Sequence, residues 1–255
     1  MLDTSQYKNN IKNKAPQLDG RISDETFQWI KNCNDLAKKK GAKIITVMHH
    51  NIIHHSDVIR EGFTVNDNEA AIDKFQGLGI DTFLSGHIHI QDISSYEKNG
   101  STIYDIVTES LGIYPQQYGV ANYSSKDGFN YSTSKVDVEA WAKESNLTDE
   151  NLMNFKEYSK DFFVSRAYGK FFNNLLENTN YSEDEMTLMA KTISELNLKY
   201  FSGEQEEKEQ DMMKSEGFKL LTSSDSGFIK RYVKSIIHDD NLKDNNLHIP
   251  SEGGK

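Results

Sequence analysis

The sequence predicts an α/β region over roughly the first 140 residues, followed by an all-α region. Three observations carry that reading. The β-branched runs Ile44-Ile45-Thr46-Val47-Met48 and Ile80-Asp81-Thr82-Phe83-Leu84 flank a helical pattern, the order of a βαβ crossover with parallel strands. Asn99-Gly100 sits between Ile90 to Tyr96 and Ser101 to Val107, a strong hairpin signal. From Thr148 onward the apolar spacing is helical and strand patterns are lacking.

Each element has its own signal. Ser23 can cap a helix running to about Lys40, with Phe27, Ile30, Cys33 and Ala37 along one side and Gly41 at the expected C-terminal cap. The continuous run Ile44 to Met48 suits a strand buried on both faces, ending at His49-His50-Asn51. After a polar loop comes a helical segment from about Asp67 to Gln76, with Ala71, Ile72 and Phe75 inward and Gly77 and Gly79 ending it. The next strand runs into Ser85-Gly86-His87-Ile88-His89. Beyond the hairpin a further strand is expected from about Phe129 to Val138, and the character of the chain changes near Trp141.

In the helical region Leu152, Phe155, Tyr158, Phe162, Ala167, Phe171 and Leu175 recur at roughly helical spacing. Ser182 and Glu185 form a capping-box pattern ahead of Met186, Met189, Ile193 and Leu196. Glu204 to Asp211 reads as a solvated helix face, and Phe228, Tyr232, Val233, Ile236 and Ile237 mark a last amphipathic helix. The expected organisation is a first domain over 1–141, a helical domain over 145–240 and a disordered tail over 241–255.

Composition narrows the function classes. A net charge of −10 argues against a nucleic-acid polymer or an anionic membrane as the main partner, because both need basic patches. Small anionic substrates stay open, since a bound cation reverses the local field. One cysteine, Cys33, excludes an internal disulfide framework and reads as a small buried side chain. No run approaches transmembrane length, and the N-terminus shows no basic segment followed by an apolar one. As written, the chain reads as cytoplasmic, provided Met1 is the true start.

Six of the eight histidines, at 49, 50, 54, 55, 87 and 89, fall within one stretch of 41 residues. Both main clusters lie at the carboxyl ends of expected strands, where open α/β sheets place their ligand sites. In a strand, residues i and i+2 share a side, so His87 and His89 can both face a site while Ile88 packs inward. Gly86 allows close backbone approach. Neutral imidazole is a ligand for Zn²⁺, Mn²⁺ and iron, and His49 from the neighbouring strand makes three. The expected metal ligands are therefore His49, His87 and His89. His50 is open between an outer contact to metal or substrate and a purely structural role. His54 and His55 lie in the loop outside the ligand set, and His238 and His248 read as surface residues.

Val47-Met48-His49-His50, followed 38 residues after His49 by Gly86-His87-Ile88-His89, resembles the second half of the calcineurin-like metallophosphoesterases. The likeness is to the class III cyclic-nucleotide phosphodiesterase branch. Leu2-Asp3-Thr4-Ser5, Gly20-Arg21-Ile22, Trp29 and Tyr104-Asp105-Ile106-Val107 support it. The resemblance covers roughly residues 1–141, and the helical remainder is similar to a C-terminal domain that some bacterial members carry. It implies the C-terminal half of a metallophosphoesterase β-sandwich flanked by helices. It also implies two divalent metal ions, Mn²⁺, iron or Zn²⁺, that share a bridging Asp and activate a hydroxide against a phosphate ester, possibly a cyclic nucleotide. On that basis His49 and His87 would bind one metal with the bridging Asp and an Asn, and His89 the other. Asn51 stands where the family has Pro.

The family's earlier motifs, Asp-x-His, Gly-Asp-x-x-(Asp/Asn) and Gly-Asn-His-(Asp/Glu), do not occur, and the chain has no Gly-Asp or Gly-Asn dipeptide. The bridging Asp and the proton-donating His are therefore without counterparts. The expectation is a C-terminal part of a metallophosphoesterase whose N-terminal half is missing, inactive alone, with no catalytic residue of its own. Two other readings stand beside it. One is a single-metal hydrolase using His49, His87 and His89, with Asp57, Asp92 or Asp105 as general base. The other is a non-enzymatic remnant whose helical half serves as an interaction module.

Overall fold

The computed structural model describes residues 1–204, 209–237 and 242–251. The chain forms two compact units, Met1–Thr108 and Glu109–Lys255. The mixed sheet flanked by helices and the largely helical region that follows are the architecture the sequence predicts.

In the first unit a single turn, α1 (Asn10–Asn13), precedes α2 (Asp24–Lys39). Ser23 caps α2 by accepting a hydrogen bond from the Thr26 amide, and Asp24 and Glu25 in the first turn complement the helix dipole. β1 (Thr46–Val47), α3 (Asn68–Leu78) and β2 (Thr82–Ser85) form the expected parallel crossover, with Thr46 opposite Phe83. β3 (Asp92–Lys98) and β4 (Ser101–Val107) form the hairpin around Asn99 and Gly100, both left-handed at φ 54° and 75°. β4 is also parallel to β2, so the sheet order is β1-β2-β4-β3. A core of Ile30, Met48, Ile52, Ala71, Ile72, Phe75, Ile80, Phe83 and Ile103 lies beneath the helices. Phe75 is fully buried, with Phe27 and Phe83 at ring-centroid distances of 5.3 and 4.8 Å.

Three expectations need correcting here. The run Ile44 to Met48 yields only two strand residues, and they lie at a sheet edge rather than in its middle. The amide of Leu2 donates to Val47 O, so the N-terminal segment lies beside that edge and Ile44 and Ile45 stay half-buried. Gly77 lies inside α3; the left-handed cap is Gly79 at φ 73°. Cys33 is half-buried rather than buried.

The second unit opens with a hairpin, β5 (Gln117–Ser124) and β6 (Gly128–Lys135), followed by α4 (Val138–Glu144), α5 (Glu150–Met153), α6 (Phe155–Asn178) and α7 (Glu183–Ser202). α8 (Glu209–Met213), α9 (Glu216–Ser223), α10 (Gly227–Ile237) and β7 (Asn246–Ile249) complete it. The Ser182–Glu185 capping box forms as expected, with both reciprocal bonds. Met189, Ile193 and Leu196 of α7, Leu221 of α9 and Val233 of α10 are buried. The Glu204–Asp211 face falls largely outside the described residues. So does His238, while His248 is exposed and pairs with Asn130 at 2.8 Å.

The tail is the main departure in this unit. Asn246–Ile249 is not disordered but pairs antiparallel with β6, burying Leu247 and Ile249. Alternation over four residues is too short a signal to read ahead of time. β5 is also a strand the sequence pattern did not announce. Residues Tyr118 to Tyr123 are exposed on both faces, so no inward-outward alternation was written into them.

Candidate metal centre

β1 and β2 are neighbours, so the segments leaving their carboxyl ends are brought together. The Met48 amide donates to Leu84 O, and the Gly86 amide to His49 O, both at 3.0 Å. These two bonds carry the pairing one step past the strands and set His49 beside the turn containing His87. His49 Nε2 and His87 Nδ1 face each other at 2.6 Å, with ring centroids 4.5 Å apart. Phe63 packs 4.8 Å from the His87 ring.

The way His87 and His89 project differs from the expectation. β2 ends at Ser85, so strand alternation does not apply. Instead His87 and His89 adopt left-handed backbone at φ 69° and 60°. The Ile88 amide donates to Gly86 O at 2.8 Å, closing a three-residue turn around His87. Ile88 is buried while His87 is half-buried and His89 exposed, so the outcome matches by another route. Left-handed backbone is unfavourable for a β-carbon-bearing residue, and two such residues in a turn store local strain. Gly86 is not the residue that supplies the unusual backbone; a β-carbon there would meet only His49 O, at 3.9 Å.

The electrostatics favour neutral rings. Partial burial, then the nearby His50 and His89, lower the pKa of His49. Partial burial, then His49, His50 and His89, push the His87 imidazole down to about 4. Neutral imidazole is the ligand form. His89 acts on both rings only as a lesser electrostatic influence.

His50 is fully committed elsewhere. Its Nε2 lies 2.8 Å from Leu18 O, a pure acceptor, so Nε2 carries the proton. Nδ1 then accepts from the Thr4 hydroxyl at 2.6 Å. Gly20 makes room for it, since a β-carbon there would sit 2.3 Å from Nδ1.

Sequence reasoning missed the network beneath the histidines. Asp105 on β4 is fully buried. It accepts the amides of Ile52 and Ile53 at 2.7 and 3.0 Å and the Ser85 hydroxyl at 2.7 Å. His55 is also fully buried, bonded to Asp92 through Nδ1 and 3.2 Å from Asp105 through Nε2. Burial alone would lower its pKa, but the two carboxylates outweigh that and raise it to about 10. Asn51 donates from Nδ2 to the Ser85 hydroxyl at 2.9 Å and to Gly86 O at 3.0 Å. The available signal was an Asp inside the apolar run Tyr104-Asp105-Ile106-Val107, which buries a carboxylate and so requires partners.

The donor set decides what this site can hold. Among the described residues no group of three or more His, Cys, Asp or Glu side chains is arranged to hold a metal ion. The facing nitrogens at 2.6 Å are closer than two ligands of one ion, each about 2.0–2.1 Å from it in tetrahedral geometry, would stand. Small rotations of the two rings would open that gap for one ion. A pair of like-charged ions does not fit, because among the described residues no carboxylate joins His49, His87 and His89 in a metal-holding group. Asp92, half-buried, and Asp105, buried, two candidates for a general base, are already held by His55, Ser85, Ser94 and backbone amides. Asp57 is exposed and paired with Arg60 at 2.9 Å.

Fold and site define a chain in two parts, an α/β unit with neutral imidazoles at its strand ends and a largely helical unit. Residues 137–244 match the family model described as the C-terminal domain of cyclic nucleotide phosphodiesterase, the branch that the histidine motifs resemble. No curated protein matches the chain. Among the described residues, no helix is long and apolar enough to cross a membrane.

Proposed function

We propose that the chain is part of a metal-dependent phosphoesterase acting on small phosphate esters, and that His49, His87 and His89 are one half of its two-metal site. The observation that carries this reading is the convergence of neutral His49 and His87 at the ends of parallel strands. The match of residues 137–244 to a phosphodiesterase C-terminal domain supports the substrate class. Residues 1–141 are read as the corresponding part of the phosphoesterase domain and 145–240 as its helical companion.

On this reading the chain alone does not assemble the metal pair. The carboxylates that would hold two cations together and position a bridging hydroxide have no counterparts in the sequence. The test is metal analysis of the purified 255-residue chain after loading with Mn²⁺ or Zn²⁺, with an assay on bis(p-nitrophenyl) phosphate. The expected result is at most one bound ion per chain and negligible turnover. Two bound ions with metal-dependent turnover, lost in His89→Ala, would sink the proposal. One tightly bound ion with activity would favour the single-metal hydrolase.

A further inference from the structure

We propose that His55 is a positioning residue: clamped between the half-buried carboxylate of Asp92 and the buried carboxylate of Asp105, it locks the loop bearing His49 and Asn51 onto the end of the strand that leads to His87. The inference deepens the reading of His49 and His87 as ligands and rests on it for its functional meaning.

Asp105 is fully buried on β4, the strand beside β2. An isolated carboxylate there would be strongly unfavourable unless paired and hydrogen-bonded. Its partners come from two separate pieces of chain. Ile52, Ile53 and His55 belong to the loop after β1, and Ser85 is the last residue of β2. Asp105 therefore ties the loop to the strand end. His55 extends the tie to Asp92 at the start of β3, whose carboxylate also accepts the Ser94 hydroxyl at 3.0 Å. Both aspartates act on His55 attractively.

Asn51 relays the register to the histidines. Its side chain donates to Ser85 and to Gly86 O, and its backbone pairs with Phe63 and Val65. His49 lies two residues before Asn51, and His87 follows Gly86. A shift of the loop at Ile52 to His55 would therefore move His49 against His87. Groups one shell behind metal ligands commonly change metal affinity by about 10–100-fold when removed.

The experiment compares the full chain with His55→Gln and Asp92→Asn, using amide hydrogen exchange and Zn²⁺ binding. In the wild type the Ile52, Ile53 and Gly86 amides should share strong protection. In His55→Gln that protection should fall at least tenfold at all three, while the β3–β4 hairpin amides Ile103 and Tyr104 keep theirs. Asp92→Asn should lower it less, because Asp105 still holds the ring. Zn²⁺ affinity should fall about tenfold or more without a change in stoichiometry. Unchanged protection at Gly86 in His55→Gln overturns the proposal. A loss spread evenly over the hairpin also overturns it, because that marks general destabilisation. If the wild type binds no Zn²⁺ while the local protection still collapses, positioning stands and the ligand reading of His49 and His87 falls.

Discussion

His50 shows how a single side chain is removed from a ligand set by its surroundings. It stands next to His49, its ring is 4.9 Å from that of His87, and composition alone offers no reason to separate it from them. Its two nitrogens are nevertheless spent on Thr4 and Leu18, inside a space that only glycine at position 20 leaves open. Thr4→Val keeps the shape of the side chain and removes the hydroxyl, so His50 Nδ1 is left buried without a donor. The expected loss is about 1–3 kcal/mol in urea unfolding. Gly20→Ala drives a β-carbon into the same ring and should cost about 1–3 kcal/mol through overpacking. Both variants should leave metal stoichiometry unchanged, since His50 is no ligand. A drop in bound metal in Thr4→Val would restore His50 to the site. Asn51 is a second side chain committed by its surroundings. Its amide bonds Ser85 and Gly86, and proline, which the resembling family has there, could form neither bond.

Among the elements, long helices and the glycine-marked turn were legible because their signals are local. A Ser cap, an acidic first turn and apolar spacing define α2, and Asn99-Gly100 supplies two left-handed residues in sequence. The parallel pairing of β1 and β2 followed from strand order, and with it the meeting of His49 and His87. What was not legible depends on distant chain. The edge of β1 is bonded by Leu2 far back in the chain, β5 is exposed on both faces, and β7 is a strand through its pairing with the distant β6. The contact between β6 and β7 carries a test. Gly128 is left-handed at φ 85°, and a β-carbon there would lie 2.1 Å from Ile249 O. Gly128→Ala should therefore detach β7, with loss of amide protection at Leu247 and Ile249. The left-handed backbone alone adds about 1–2 kcal/mol for a residue other than glycine. Retained protection at Ile249 would show that the contact can relax.

For the whole molecule, each compact unit buries one titratable group that holds a proton the unfolded chain would release near neutral pH. In the first unit it is His55, raised to about 10 from 6.5 by Asp92 and Asp105 against the effect of burial. In the second it is Glu109, raised to about 8 from 4.5 chiefly by burial, with Lys135 opposing and Glu204 reinforcing the shift. Its Oε1 accepts the Gln117 amide at 3.0 Å, while Oε2 has no hydrogen-bond partner among the described residues. The signs follow from proton linkage. Stability contributed by His55 is fully present below pH 6.5 and is lost as pH rises toward 10. Ionising Glu109 is harder in the folded state, so stability falls as pH rises from 4.5 to 8 and is level above that. A chain already at −10 gains nothing from the added negative charge. Each unit has one tryptophan, Trp29 in the first and Trp141 in the second. With Trp29→Phe or Trp141→Phe as background, urea unfolding can follow each unit by its remaining indole. Glu109→Gln should flatten the dependence between pH 4.5 and 8 seen through Trp141. His55→Gln should flatten the dependence between pH 6.5 and 10 seen through Trp29. If both substitutions act in the same pH window, these two buried protons do not govern the response. If instead the windows separate as expected, the pH dependence of the histidine-bearing unit traces to the His55 clamp, with the neutral imidazoles of His49 and His87 contributing nothing to it above pH 6.5.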